Sequence, residues 1–76
     1  MTIQNFTTLS QHIQHQNLLL NGEYIADRST EEAQILLFQL GHFFVEVYFS
    51  QDGDDISHTH SFEDAAGLVP YLLVND

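Results

Sequence analysis

The pair His58 and His60 is the part of this sequence that comes closest to a reactive site. Alternate side chains of a β-strand point to the same face, so a strand here would place both imidazoles on one side. Imidazole nitrogens bind zinc and related metals, but a complete site needs a third or fourth ligand. Glu63, Asp64 or His42 could supply that ligand only if the fold brings it near. Metal binding through His58 and His60 is therefore kept as an alternative, and no cofactor is expected.

His12 and His15 would lie close together on the surface of a helix. The helical zinc-protease motif needs two histidines four residues apart and a glutamate beside the first, and neither condition is met. Nucleophilic catalysis also lacks its usual parts, because the chain has no cysteine, no lysine and no G-x-S-x-G pattern. We therefore expect these two histidines to be exposed polar residues, and we expect no catalytic residues.

The acidic stretch that begins at Asp52 invites comparison with a calcium-binding loop. Asp52, Asp54 and Glu63 occupy positions 1, 3 and 12 of such a loop. Ile56 stands where the loop needs an oxygen ligand, and Ser57 stands where it needs glycine. The stretch is therefore expected to be a plain turn.

The elements that would position these residues are organised around a β-hairpin over Ala33–Phe49. This stretch is rich in β-branched and aromatic residues, which suit a half-buried pleated sheet. Gly41-His42 is a natural two-residue loop, because glycine tolerates the positive φ at the first central position of a type II′ turn. The loop predicts a register in which Leu40 pairs with Phe43, followed by Phe38 with Val45, Leu36 with Val47 and Gln34 with Phe49.

The register sorts the hairpin side chains into two faces. An apolar inner face, expected to lie against the core, carries Leu36, Phe38, Leu40, Phe43, Val45, Val47 and Phe49. The outer face carries large apolar side chains interrupted by Gln39 and Glu46, and it is too apolar to be freely solvated. We therefore expect an interface formed by Ile35, Leu37, Phe44, Tyr48 and Glu46.

A buried helix over Glu31–Leu40 is the competing interpretation of the first half of this hairpin. The residues at its start favour helix by intrinsic propensity. The break at Gly41 and the alternation of apolar residues over 43–49 favour strands instead.

The segment Thr2–Leu20 has apolar residues at helical spacing and is predicted to be one helix. Thr8 and Gln11 fit a capping box, and Asn21-Gly22 would end the helix. The helix side expected to face the apolar side of the hairpin carries Phe6, Leu9 and Ile13.

A first strand is predicted within Gly22–Ser29, where residue types alternate weakly. A turn at Thr30-Glu31 would put Ile25 beside Leu36 on the inner face, with Tyr24 and Ala26 pointing outward.

A fourth strand, Ile56–His60, is predicted after a tight turn at Asp52-Gly53. The turn sets Ile56 opposite Phe49 and makes the strand a polar edge. Both histidines of this strand then turn inward, where a hydrogen-bonded structural histidine is the commoner outcome.

The last element is expected to begin with Ser61 as its cap. Gly67 and Pro70 forbid one continuous helix, so either a turn precedes a short helix with Pro70 in its first turn or one helix kinks there. Its expected buried side carries Phe62, Leu68, Tyr71 and Leu72. The whole layout is α-β-β-β-β-α, a single α+β domain over residues 1–76.

Charge is the extreme property of the composition. Eleven acidic residues oppose a single basic one, Arg28, and the formal net charge is −10. Such a chain is repelled by phosphate backbones and anionic lipid, so no direct nucleic-acid or membrane partner is expected. The start of the chain lacks a signal-peptide pattern, and no apolar run is long enough to cross a bilayer, so the cytoplasm is the expected location.

Several motifs resemble a group of short uncharacterised bacterial proteins. They are Gly22-x-x-Ile25-x-x-Arg28, Phe44-Val45-Glu46-Val47-Tyr48, Phe62, and Leu68-Val69-Pro70-Tyr71-Leu72, and they span about the last 55 residues. The resemblance implies no activity, and it implies a structural role for the position of Arg28.

These features together favour a non-catalytic protein–protein interaction module that forms a homodimer through the outer sheet face. A chain of 76 residues without disulfides has a small core, so a second subunit would add stability. The alternative is an acidic inhibitor, immunity-type protein or nucleic-acid mimic that binds a basic protein partner.

Overall fold

The computed structural model describes residues 1–50 and 55–72, and it has the α+β layout expected from the sequence. The elements in chain order are α1 (Ile3–Thr7), α2 (Gln11–Asn21), β1 (Glu23–Ser29), β2 (Ala33–Leu40), β3 (Phe43–Ser50), β4 (Ile56–Phe62), a 3₁₀ turn (Ala65–Leu68) and α3 (Val69–Leu72). The four strands form one antiparallel sheet in the order β1-β2-β3-β4. Ala33–Leu40 is therefore extended, and the competing helix is wrong.

The N-terminal segment is two helices rather than one. Thr2 caps α1 in a reciprocal capping box with Asn5, and Ser10 caps α2 by accepting from the Ile13 amide. The predicted box at Thr8 is wrong, because Thr8 ends α1. Its hydroxyl and the neighbouring threonine hydroxyl donate to carbonyl oxygens of the last turn, which satisfies acceptors that a continuing helix would have used.

The central hairpin has the predicted register at every pair from Leu40–Phe43 to Gln34–Phe49. Gly41 has a φ of 68°, and it is the only described residue with a positive φ. A type II′ turn requires this positive φ at its first central position. This register fixes which hairpin side chains face each side of the sheet.

A bulge at Ile25 corrects the predicted placement of β1. Tyr24 pairs with Phe38 and Ala26 pairs with Leu37, so Ile25 is the extra residue and is exposed. Tyr24 therefore belongs with the inner-face pair, where its ring meets the ring of Phe38 edge-on at 5.9 Å, and only Ala26 points outward as expected. The bulge accommodates this packing, and Arg28, which pairs with Ile35, lies on the outer face.

A second bulge, at Ser57, corrects the placement of both histidines of β4. Ile56 pairs with Phe49 as predicted, but His58 pairs with Tyr48 and His60 with Glu46, which puts both imidazoles on the outer face. Thr59 takes the inward position instead, and its hydroxyl donates to the Gln14 side chain over 3.0 Å. The bulge thus keeps two polar rings off the apolar side of the sheet. The predicted turn at Asp52-Gly53 and the calcium-loop residues Asp52 and Asp54 lie outside the described residues.

The core lies between the two N-terminal helices and the inner face of the sheet. Its buried members are Phe6, Leu18, Leu40, Phe43, Val45 and Val47, with Ile3, Leu9, Phe38, Phe49 and Ile56 packed around them. The buried amide of Gln14 ties the layer together by donating to the Phe6 carbonyl oxygen. The expected contribution of Ile13 is wrong, because Ile13 is 39% exposed and does not belong to this cluster.

The C-terminal segment, defined as Ala65–Leu72, runs along the outer side of the sheet. Asp64 rather than Ser61 is its cap, because β4 continues through Phe62 and Ser61 pairs with Val45. The 3₁₀ turn precedes a short helix with Pro70 in its first turn, which is one of the two expected arrangements. Leu72 was expected to be buried but is 72% exposed.

Among the described residues, none of the helices has the length and apolar character that crossing a bilayer would demand.

Candidate functional site

The outer face of the sheet is largely closed within a single chain. Ile35 and Leu37 keep 1% and 0% of their surface exposed, and Glu46 keeps 4%. Phe44 and Tyr48 are half-buried. With the C-terminal segment in place, only these last two of the five expected interface residues offer surface to a second molecule.

Glu46 is the centre of a polar cluster on this face. The Tyr71 hydroxyl donates to its Oε2 over 2.7 Å, and Arg28 Nη2 donates to the same oxygen over 3.3 Å. The Tyr48 hydroxyl and His60 Nδ1 lie 3.3 Å and 3.0 Å from Oε1, and both are donors because an ionised carboxylate only accepts. Four donors on three strands and α3 therefore converge on one buried carboxylate.

The hydrogen bonds decide the charge state of this cluster. Burial alone would raise the pKa of Glu46, but the hydrogen bonds from Tyr71, His60 and Arg28, with the Arg28 charge, hold that pKa below its usual range. Burial and the hydrogen bond to Glu46 raise the pKa of Tyr71 well above its ordinary value. Burial and the negative charge of Glu46 raise the pKa of Tyr48. The cluster is thus an ionised carboxylate held by neutral phenols and a guanidinium.

The two histidines of β4 extend this cluster toward the edge of the sheet. The ring of His58 stacks on Tyr48 with centroids 4.2 Å apart, and the ring of His60 stacks on Phe62 at 5.6 Å. Among the described residues, no group of three or more His, Asp or Glu side chains is arranged to hold a metal ion. His42, Glu63 and Asp64 do not join the pair, so the described geometry provides two imidazoles, one of which is hydrogen-bonded to Glu46.

Ser57 and His58 are the nearest approach to a catalytic pair. The Ser57 hydroxyl lies 3.0 Å from His58 Nδ1, but the two residues are neighbours in sequence at the bulge and both are exposed. A nucleophile and base need a third group that orients the base, and within the described residues no further side chain forms a hydrogen bond with this imidazole. The arrangement lacks the parts of a hydrolytic site.

An open apolar groove lies on the opposite face of the sheet, beside α2. Its volume is about 300 Å³, and its walls are almost wholly apolar. They are formed by His15, Leu18, Leu19, Leu36, Phe38, Val47, Phe49 and Ile56. The two helices therefore cover the inner face only in part. Leu19, on the rim, is 81% exposed, and Leu20 next to it is equally exposed.

His15 is the polar member of the groove wall. Its Nε2 atom is buried and makes no hydrogen bond within the described part of the chain. Burial, followed by the nearby His12, lowers the pKa of His15. The expectation that both helical histidines are simply exposed is therefore wrong for His15, whose ring belongs to an apolar wall.

Two features were not predicted from the sequence: the hydrogen bond from Tyr71 to Glu46, and the apolar groove beside α2. Arg28 was the available signal: the only basic side chain of an acidic chain needs a buried carboxylate or an aromatic ring, and here it has both. Its guanidinium contacts Glu46 and lies 5.3 Å from the centre of the Tyr71 ring.

Comparison with known proteins adds no relatives: no family model, curated protein or solved structure matches the chain at a significant level.

Proposed function

We propose that this chain is a non-catalytic protein–protein interaction module, located in the cytoplasm, and that it forms a homodimer through the groove face. The open apolar groove carries the proposal. An apolar surface of this kind, walled by aliphatic and aromatic side chains and left open by its own helices, is typical of a protein contact.

The groove face is self-complementary, which favours a second copy as its occupant. The same surface carries a recess and, on its rim, the protruding side chain of Leu19. In an isologous dimer each copy presents the same patch, so Leu19 of each copy would enter the groove of the other.

The polar cluster supports a non-catalytic role. The Glu46 carboxylate is 4% exposed and already accepts four hydrogen bonds, so a substrate could reach it only by breaking them. The donors around it are engaged with the same carboxylate. The cluster is built to hold the fold together.

Sedimentation of the purified protein over the micromolar range tests the homodimer. Leu19→Glu places a charge on the rim without disturbing the core, because this side chain is exposed in the single chain. Burying a leucine in each copy stabilises a contact by about 1.5–3 kcal/mol per side chain, so the variant should weaken association roughly a hundredfold or more. Leu72→Glu, an equally exposed leucine on the other side of the sheet, is the matched control and should leave association unchanged.

Salt dependence separates the dimer from other partners. Two copies with a net charge of −10 each repel, so added salt should strengthen self-association. A wild-type protein that stays monomeric at every salt concentration would remove the proposal.

An acidic inhibitor, immunity-type protein or nucleic-acid mimic that binds a basic protein is the second candidate function. The observation that favours it is the charge of the described surface: every described carboxylate except Glu46 is exposed, and Arg28 is neutralised by Glu46. Titration against purified basic nucleases tests it, because charge-driven binding should weaken as salt rises.

A further inference from the structure

The C-terminal segment has one polar anchor on the sheet. None of its residues is buried, and Leu68 and Tyr71 are its half-buried side chains. The Tyr71 hydroxyl donates to Glu46 over 2.7 Å, and its ring lies against the Arg28 guanidinium. The other close contact of the segment is apolar, because Gly67 lies directly against the Phe62 ring. The segment therefore combines one polar anchor with apolar contacts.

Most of the receiving surface belongs to the sheet. Tyr48 and His60 donate to Glu46 Oε1 and Arg28 donates to Oε2, so three of the four donors that orient the carboxylate come from the strands. The cross-strand neighbours of Glu46 and Arg28 are Leu37 and Ile35, which supply an apolar floor. The outer face thus offers Glu46 as an acceptor for a hydroxyl and Arg28 as a cation for an aromatic ring. Ile35 and Leu37 form an aliphatic floor beside them.

The segment is also separate from the hydrophobic core. The core cluster lies on the inner face of the sheet, and the segment lies on the outer face. Glu63 and Asp64, which join the segment to β4, are both exposed. Departure of the segment would therefore uncover Ile35 and Leu37 on the outer face but no member of the inner core cluster.

We propose that the outer sheet face is a docking site for a tyrosine-bearing peptide segment with aliphatic neighbours, and that this chain fills the site with its own C-terminal segment. A segment of the same chemistry from another protein takes the place of Ala65–Leu72. Glu46 recognises the phenol hydroxyl, Arg28 contacts the ring, and a phosphorylated tyrosine is rejected because its charge would meet the buried carboxylate. This inference extends the proposed interaction function to a second surface.

Direct binding of a fluorescent peptide with the sequence of residues 65–72 tests the site on the full-length protein. The tethered segment competes at a high effective concentration, so the wild-type chain should bind the peptide at least about tenfold more weakly than Tyr71→Ala, whose own anchor is removed. A peptide with phenylalanine in place of tyrosine should bind Tyr71→Ala about tenfold more weakly, because one hydrogen bond to a charged acceptor is lost. Adding Glu46→Gln to Tyr71→Ala should reduce the preference for tyrosine, because a neutral amide oxygen is a weaker acceptor than a carboxylate.

Amide hydrogen exchange on the same variants shows whether the segment is released while the sheet stays folded. Release of residues 65–72 with continued protection of β2 and β3 supports the site. The proposal is overturned if the released variant ignores the peptide, or if the tyrosine and phenylalanine peptides bind equally. If Tyr71→Ala fails to fold, Tyr71→Phe removes only the hydroxyl, and unfolding of both shows that the segment is a structural part of the sheet, which also overturns the proposal.

The two surfaces are tested independently. Leu19→Glu acts on the groove face and should leave peptide binding to Tyr71→Ala unchanged. A dimer that survives Leu19→Glu but is lost with Tyr71→Ala would place the segment of one copy on the sheet of another, which supports the docking site and contradicts the groove dimer.

Discussion

Replacing Glu46 by alanine should be the most damaging single change on the outer face. The hydrogen bond from Tyr71 to a charged acceptor contributes about 2 kcal/mol. Arg28, whose side chain is 21% exposed, would lose its counter-charge, and after allowance for solvent screening this costs about 1 kcal/mol. The bonds from Tyr48 and from the largely exposed His60 add little. We expect the free energy of unfolding to fall by about 3 kcal/mol, a large share of the roughly 4–11 kcal/mol expected for a domain of this size.

Urea unfolding at neutral pH, followed by circular dichroism, measures this loss. Glu32→Ala is the matched control: it removes an exposed carboxylate from the turn between β1 and β2, and it should change the free energy of unfolding by less than about 0.5 kcal/mol. A loss below about 1 kcal/mol for Glu46→Ala, with an unchanged dependence on urea, would refute the view that this carboxylate joins the segment to the sheet.

Low pH should destabilise the protein by protonating Glu46, the carboxylate that Glu46→Ala removes. The pKa of Glu46 is lowered in the folded protein, so its contribution to stability is complete above the unfolded value, about 4.3. The contribution is lost as the pH falls through the lower folded value. Glu46→Gln should therefore flatten the decline in stability below about pH 4, where the wild-type carboxylate takes up its proton.

Three further outcomes are expected. The pKa of Tyr71 is raised on folding, so its contribution to stability is complete below about pH 10 and is lost as the pH rises further. Tyr71→Phe should therefore reduce the loss of stability at alkaline pH, measured by urea unfolding. Gly41→Ala should cost about 1–2 kcal/mol because a side chain is strained at a φ of 68°, whereas Gly41→Asn should cost less; thermal unfolding of the pair checks this. Ser10→Ala should lower the free energy of unfolding by about 1 kcal/mol, since it removes the N-cap of α2, and Gln16→Ala on the exposed side of that helix is the control.

Local signals explain why the hairpin register was predictable. Gly41 and the strict alternation after Phe43 lie within a few residues of each other, and together they determine every pair of β2 and β3. The turn leaves one compatible register, because a shift by one residue would exchange the two faces.

The bulges were not predictable, because nothing in their neighbouring residues marks them. Ile25 and Ser57 look like ordinary strand residues, yet each is the extra residue of a bulge. Beyond Ser57, the inward Thr59 donates to Gln14, 45 positions away, and no neighbouring residue signals that contact. One unmarked residue was enough to turn both histidines of β4 from the inner to the outer face.

The polar cluster escaped sequence analysis for the same physical reason. Its main bond joins Glu46 to Tyr71 across 25 positions, and its ion pair joins Glu46 to Arg28 across 18. The sequence showed an apolar outer face and correctly implied that something covers it. That the covering piece is the chain's own C-terminal segment depends on tertiary contacts that have no local signature.

Because Arg28 is partly buried, tryptic digestion can measure how often the edge strand β1 opens. Arg28 is the only arginine and lysine is absent, so trypsin can cut this chain at a single peptide bond, the one that follows Arg28 in the edge strand β1. The guanidinium that the protease must accept lies between Glu46 and Tyr71 in the folded protein. When cleavage is slower than reclosing, its rate reports how often this strand and the segment above it come free. A single band on a gel would then measure a conformational equilibrium without any added label.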